Sequence, residues 1–341
     1  MTATHMRREI EEIPEAVERR LSTVGADVAR TAEAFARIDP LVIATVARGS
    51  SDHAAHFLKY AYELTLGLPG ASLGPSLASV YGLVPRLERA VVMAISQSGR
   101  SPDIVTMTAA ARRGGACAIA LVNTLPSPLA DASDFAIGIA AGPEKSVAAT
   151  KSFVCSIVAG LALLAELQSS GSLRSALAGF PDRLREALAA DWLPLVQPLV
   201  EASSLYVLGR GPSLAIAEEI ALKFKETCGL HAEAYSAAEV LHGPVELVVP
   251  GFPIIALAGR DNAETSVAEI ADSLARQAAV VYATTGLCRK ALTLPVPQAG
   301  HPLLDALIQV VPAYLFLEAL SRRRGRNPDA PTRLRKVTET V

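Results

Sequence analysis

The strongest constraint on the fold of this 341-residue chain is that it repeats itself. Shifted by 162 residues without gaps, Arg48-Gly49 falls on Arg210-Gly211 and Ser51 on Ser213. Val92-Met93-Ala94-Ile95 falls on Ile254-Ile255-Ala256-Leu257, and Cys117-Ala118-Ile119 on Ala279-Val280-Val281. Short apolar strands fall into such register by chance more easily than an Arg-Gly pair that follows a strand each time. The chain therefore reads as two copies of one supersecondary unit.

That unit alternates short β-rich runs with longer helical patterns, as parallel sheets with covering helices do. Strands are expected at 41–47, 90–95, 116–122 and 135–139, then at 205–208, 253–258, 279–283 and 291–294. Helices are expected at 52–66, 102–113, 213–227, 263–276 and 303–323. The fold class is α/β, with two tandem doubly wound parallel sheets related by duplication. The expected organisation is an N-terminal helical segment 1–40, a first domain 41–170, a helical linker 171–200, a second domain 201–325 and a tail 326–341.

Composition narrows the function. Half the residues are apolar and 19% are charged, which suits a packed protein rather than a disordered one. The apolar run Ser152 to Ala165 is shorter than the roughly 18 residues that span a bilayer, so it reads as a buried helix and no membrane partner is expected. A net charge of -2 gives no footprint for nucleic acid, so the expected partner is a small molecule. Cys117, Cys155, Cys228 and Cys288 form no CxxC pair, and the surroundings of three of them (Cys117, Cys155 and Cys288) suit reduced core thiols. With no secretory pattern at the N-terminus, a cytoplasmic location is expected. The six histidines lack HxxxH or HExxH spacing, so no metal is expected.

The two copies differ at the end of their third strand. The first has Ser96-Gln97-Ser98-Gly99-Arg100-Ser101-Pro102, whereas the second has Ala258-Gly259-Arg260-Asp261. Pro102 marks a first helical turn. Hydroxyls, backbone N–H groups and the positive end of a helix dipole thus converge where a phosphate would bind. Ser51 opens another helix after the first strand, where ligands of α/β sheets collect. Ser51 and Ser101 also fit a simpler role as helix caps. No GxxxxGK[ST] is present, so this is no Walker loop.

In the second copy, Glu219, Lys223 and Glu226 fall on one face of the expected helix through spacings of four and three. A solvated Glu-Lys pair is the bland interpretation. The helix follows the Gly209-Arg210-Gly211-Pro212 turn, however, which directs it at the ligand crevice. A carboxylate beside a lysine stays ionised and can act as a base, while the lysine can stabilise a developing oxyanion. His242 ends a short helical turn before Gly243-Pro244, and Lys336 lies in the tail; alone, neither points to chemistry.

Taken in order, Ser51, Ser96-Gln97-Ser98-Gly99, Ala149-Thr150-Lys151, Leu208-Gly209-Arg210-Gly211, Ala221-Leu222-Lys223-Phe224-Lys225-Glu226, His231-Ala232-Glu233-Ala234-Tyr235 and Leu241-His242-Gly243-Pro244 resemble the sugar isomerase (SIS) domain pair. The likeness runs from about Ala44 onward and is most specific to the isomerase half of glucosamine-6-phosphate synthases and their stand-alone relatives. The resemblance implies flavodoxin-like domains, with Ser51, Ser96, Gln97, Ser98 and Ser101 holding a sugar phosphate and the backbone around Val147 and Ala149 touching the sugar. It implies that Glu226 moves the proton between C1 and C2, with Lys223 and Glu219 beside it. It further implies a homodimer whose partner subunit contributes His242 for ring opening, and a tail that closes Lys336 over the substrate.

The chain departs from the synthases in lacking their N-terminal glutaminase and its cysteine, so amide transfer from glutamine is not expected. Ala149 stands where those proteins commonly have serine, and Arg100-Ser101-Pro102-Asp103 resembles instead the stand-alone deaminases of the second type. The expected substrate is a phosphorylated amino sugar or ketose, and the expected reaction is deamination of glucosamine 6-phosphate. No organic cofactor is expected either, since the sugar substrate's own carbonyl would provide the electron sink. A ketose/aldose isomerase, a fructosamine-6-phosphate deglycase and a non-catalytic phosphosugar-binding regulator are the alternatives.

Overall fold

The computed structural model describes residues 3–23, 25–169 and 171–336. They divide into two compact units, each built on one parallel five-stranded sheet. One unit comprises residues 12–144, 151–178 and 335–336; the other comprises 3–11, 145–150 and 179–334.

In the first unit the strands are β1 (Val42–Val46), β2 (Gly70–Ser72), β3 (Ala90–Ser96), β4 (Cys117–Val122) and β5 (Phe135–Gly138), in the spatial order β2-β1-β3-β4-β5. β3 is central and every one of its residues is buried, which explains its unbroken apolar run: a strand covered on both faces has no reason to alternate. The Pro102–Arg113 helix buries Ile104, Met107, Thr108, Ala110 and Ala111 at helical spacing against this sheet. The Lys151–Leu167 helix is enclosed from Lys151 to Ala165, as its run of apolar residues predicts. Helices Ile13–Ser22 and Ala26–Ile38 precede the sheet.

The other unit repeats the plan with β6 (Ser204–Gly209), β7 (His231–Ser236), β8 (Pro253–Ala256), β9 (Val280–Ala283) and β10 (Leu292–Thr293), in the order β10-β9-β8-β6-β7. Renumbered within its own copy, that is again 2-1-3-4-5, the flavodoxin-like order, so the inferred duplication holds down to topology. It also holds in the backbone. Gly49 and Gly211, paired by the 162-residue shift, start equivalent helices at φ 56°, ψ -135° and φ 59°, ψ -135°, a conformation open to glycine and costly for other residues.

Each sheet has one strand more than the sequence pattern indicates, and the additional strand is the second of its copy. Gly70–Ser72 holds only Gly, Ala and Ser, and His231–Ser236 reads His-Ala-Glu-Ala-Tyr-Ser with no β-branched residue. Both lie at sheet edges, where pairing with a single neighbour suffices. Two expected helices also change. The 303–323 stretch is broken into Pro302–Leu307 and Val310–Arg323. At the break, Gln309 accepts the Thr284 hydroxyl at 2.7 Å and donates to the Asp305 carbonyl at 3.1 Å. Within residues 302–323 an 18-residue window reaches a mean hydropathy of 1.7, enough to span a bilayer by length and composition, but 94% of that window is buried in the fold. The 213–227 stretch is α-helical only over Pro212–Lys223, after which Phe224–Cys228 forms a π turn.

Candidate active site

In an open parallel sheet of this order the connections leave neighbouring strands β1 and β3 in opposite directions, which opens a crevice at their carboxyl ends. Ser51 follows β1, in the first turn of the Ser50–Leu66 helix, and Ser96 ends β3. The hydroxyl-rich turn is held firmly. Gly99 N–H donates to Ser96 Oγ at 3.0 Å, Arg100 N–H donates to Ser98 Oγ at 3.3 Å, and Leu129 N–H donates to the Gly99 carbonyl at 3.0 Å. Gly99 is at φ +65°, and a Cβ there would lie 2.5 Å from Ser127 Oγ, so conformation and space both require glycine.

Ser101 takes the N-cap position of the Pro102–Arg113 helix, yet its side chain makes no capping hydrogen bond. The cap-only interpretation therefore does not describe Ser101. Gln97, Ser98, Ser101 and Ser51 are all partly exposed, whereas Ser96 is buried and braces the turn. Arg48, which follows β1, reaches the same helix start and donates from Nε to the buried Asp103 carboxylate at 3.0 Å. The duplicated Arg-Gly pair marks this arginine in the sequence, although the hydroxyl cluster alone does not point to it.

The equivalent turn in the other unit is closed. Ser213, the counterpart of Ser51, is buried, and its Oγ accepts the Gly259 N–H at 3.1 Å. Arg260 donates to Asp305 and to the carbonyls of Val296 and Pro297. These groups satisfy one another where the first copy presents hydroxyls.

The buried ionisable cluster of this unit lies instead on the Pro212–Lys223 helix and its π turn. Lys223 Nζ is 3.2 Å from Glu219 Oε1 and 2.6 Å from Glu226 Oε2. Side-chain exposure is 0% for Lys223 and Glu219 but 21% for Glu226, so the three form a buried ion trio with one carboxylate at its open end. Burial depresses the Lys223 ammonium, but the Glu219 and Glu226 carboxylates outweigh it and hold its pKa above the ordinary lysine value. This is no solvated Glu-Lys pair. Glu219 also accepts the hydroxyl of Tyr314, on the Val310–Arg323 helix, at 2.9 Å. The π turn carries Glu226, a device that recurs at functional sites because it re-aims side chains.

Glu226 lines a cleft of about 620 Å³ together with Lys225, Arg326, Thr332 and Arg333. Gly229, at φ +56°, closes the π turn, and a Cβ there would lie 2.2 Å from the Arg326 guanidinium carbon. The cleft is therefore cationic around one carboxylate, an arrangement that attracts anionic ligands.

His242 ends the short Glu239–His242 turn and is exposed, with no hydrogen bond to the trio among the described residues. Leu241, Leu247 and Val249 beside it are exposed as well. Val147 and Ala149 lie in the 145–150 segment, partly exposed. That segment is anchored by Glu9, from the His5–Glu11 helix, whose carboxylate accepts the backbone N–H groups of Lys145 and Ser146. Val147 N–H donates to the Asp329 carbonyl at 3.2 Å, and the Asp329 carboxylate caps the same helix through His5 and Met6.

In the first unit, Lys336 Nζ pairs at 3.0 Å with the buried Glu144 carboxylate, which also accepts the Ser152 hydroxyl at 2.7 Å. The structure thus groups Ser51 with the Ser96–Ser101 turn, and Glu219 with Lys223 and Glu226. Tyr314, Glu144, Glu9 and Asp329 join these sites from positions so distant in sequence that no local motif points to them.

A duplicated flavodoxin-like protein, with a hydroxyl-rich turn on one copy and a buried ion trio on the other, is the class that fold and sites define. The SIS domain pattern matches residues 41–166 and 198–319, and the chain belongs to that family. An isomerizing glutamine-fructose-6-phosphate aminotransferase of Sulfurisphaera tokodaii is 31% identical over 339 residues, covering 97% of this chain and 56% of that protein. The chain spans about half the length of the curated relatives it matches. A solved structure from Silicibacter pomeroyi DSS-3, provisionally designated a phosphosugar isomerase, is 54% identical with TM-score 0.93 over 96% of this chain and all of that one. Glucosamine-6-phosphate deaminase of Thermotoga maritima has TM-score 0.78 over 99% of this chain and 100% of that one; at 18% identity the likeness concerns the fold.

Proposed function

We propose that this chain is a phosphosugar enzyme that deaminates glucosamine 6-phosphate to fructose 6-phosphate and ammonia. The observation that carries the reading is the Glu226 carboxylate, held by a buried ammonium at 2.6 Å and open to a cationic cleft. Membership of the SIS family and the 54% identity to a chain designated a phosphosugar isomerase support the substrate class.

In this reading the hydroxyls and N–H groups of the Ser96–Ser101 turn, with Ser51, receive the phosphate. His242, given by the partner subunit of a cytoplasmic homodimer, assists opening of the sugar ring. Glu226 removes the C2 proton of the open-chain aldehyde, and the electron pair moves into the carbonyl to give an enolamine. Protonation at C1 yields the C2 imine, and water releases ammonia and the ketose. Lys223 holds Glu226, and Lys336 stabilises charge on the sugar. The exposed apolar residues around His242 suit a contact with a second copy.

Purified protein supplied with glucosamine 6-phosphate should release ammonia and fructose 6-phosphate in equal amounts. Conversion of a ketose phosphate to an aldose without ammonia would make it an isomerase. Release of an amine from fructosamine 6-phosphate alone would make it a deglycase, and binding without turnover would make it a sensor.

A further inference from the structure

We propose that Tyr314 decides which of the two carboxylates sharing Lys223 accepts the proton, keeping Glu219 ionised so that Glu226 is the base. The inference deepens the reading above, on which the role of Glu226 rests. Glu219, Lys223 and Glu226 together carry one net negative charge, so the first proton they take belongs to the trio rather than to a fixed member. Burial favours the neutral acid, and Glu219 is fully enclosed while Glu226 is not. Unaided, the enclosed carboxyl would take that proton first and leave Glu226 a weaker base, paired alone with the ammonium.

Tyr314 opposes this outcome. Its hydroxyl donates to Glu219 Oε1 at 2.9 Å, and a donor to the charged form favours that form. Being neutral, it does so without competing with Lys223 for Glu226. The cations along the cleft, Lys225, Arg326 and Arg333, lie on the side of Glu226. Of the charged groups on the elements packed against the helix, His231 bonds to Ser204, Glu233 to Tyr235, Asp305 to Arg260 and Glu318 to Thr4 and Arg322, while Arg323 is exposed at the end of its helix. Tyr314 is therefore a positioning residue, acting on Glu226 through Glu219 and Lys223.

The test is Tyr314→Phe, which keeps the ring and removes the hydroxyl. Infrared difference titration of the full chain, with Glu219→Gln and Glu226→Gln as assignments, reports where the proton sits without reference to turnover. In Tyr314→Phe the protonated carboxyl band should appear about one pH unit higher than in the parent, and it should vanish with Glu219→Gln, not with Glu226→Gln. The acid limb of the kcat profile should move up by the same amount, with KM little changed. Superimposable titrations of parent and Tyr314→Phe, or a proton found on Glu226 in the variant, would overturn the proposal. Should Tyr314→Phe not fold, 3-fluorotyrosine at position 314, a stronger donor of nearly the same size, should leave the first protonated band on Glu226 and move the second, which vanishes with Glu219→Gln, to lower pH; a Glu219 band that stays in place would overturn the proposal equally. If Glu226→Gln keeps full turnover, the base assignment fails, while the infrared band still reports on Tyr314 and Glu219.

Discussion

Lys223 Nζ lies 2.6 Å from Glu226 Oε2 and is wholly enclosed, so the ammonium reaches the cleft only through the carboxylate it holds. Residues on one helical face normally share one environment. Here the change from α-helix to π turn after Lys223 separates a buried cation from a half-open acid three residues later. The lysine thus orients the Glu226 carboxylate and supplies its counter-charge.

On the proposed reading, Glu226→Gln should remove proton transfer while leaving the Ser96–Ser101 turn intact. Loss of a positioned general base costs on the order of 10² to 10⁴ in kcat. Calorimetric binding of a non-reacting sugar 6-phosphate should be unchanged within a few fold, and near-parental turnover would remove Glu226 from the role.

Lys223→Met leaves the enclosed Glu219 carboxylate without its cation. Breaking a buried pair from one side costs about 3–5 kcal/mol, readable as a lower urea midpoint. The double variant Lys223→Met/Glu219→Gln should recover part of that loss, because the uncompensated charge is gone. The raised Lys223 pKa fixes the alkaline pH dependence: while Glu219 and Glu226 are ionised its contribution is present below about 10.4 and is lost as pH climbs through the folded value. Above neutral pH, parent and Lys223→Met stabilities should therefore converge only in strong alkali.

Gly99→Ala meets both a left-handed backbone and the Ser127 side chain. The conformation alone costs about 1–2 kcal/mol, and the clash displaces the turn. Inorganic phosphate and phosphosugar should bind at least tenfold more weakly. Gly179→Ala, where a Cβ meets nothing within 4 Å, serves as the control and should match the parent.

Ser98→Ala and Ser101→Ala test directly the phosphate-binding role proposed for the hydroxyl turn. Each removes one hydroxyl, worth about 0.5–1.5 kcal/mol as a neutral donor and up to about 3 kcal/mol toward a charged group. KM should rise by about threefold to a hundredfold per substitution with kcat nearly constant, the mark of binding shared by ground and transition states. A fall in kcat at constant KM would point to a role other than phosphate binding.

Much of this architecture could be read beforehand because it rests on local pattern. Buried strands such as Ala90–Ser96 are continuous apolar runs, and Pro102 and Gly114 delimit a helix in a way any chain would show. Strands β2 and β7 escaped because edge pairing tolerates residues of poor β-propensity. The hydroxyl turn was legible as a cluster of six consecutive residues. The enclosure of Lys223 was not, because charged residues at spacings of three and four look alike whether water or a second helix covers them. What covers them arrives from 95 residues away in Tyr314, and Glu144 meets Lys336 across 192.

The hydrogen bond from Gly259 to Ser213 bears on how the duplicated halves came to differ. With its own serine filling the crevice, that half presents no free hydroxyl there for a ligand to meet. A molecule with two frameworks of the same strand order should accordingly saturate with a single equivalent of phosphosugar per polypeptide.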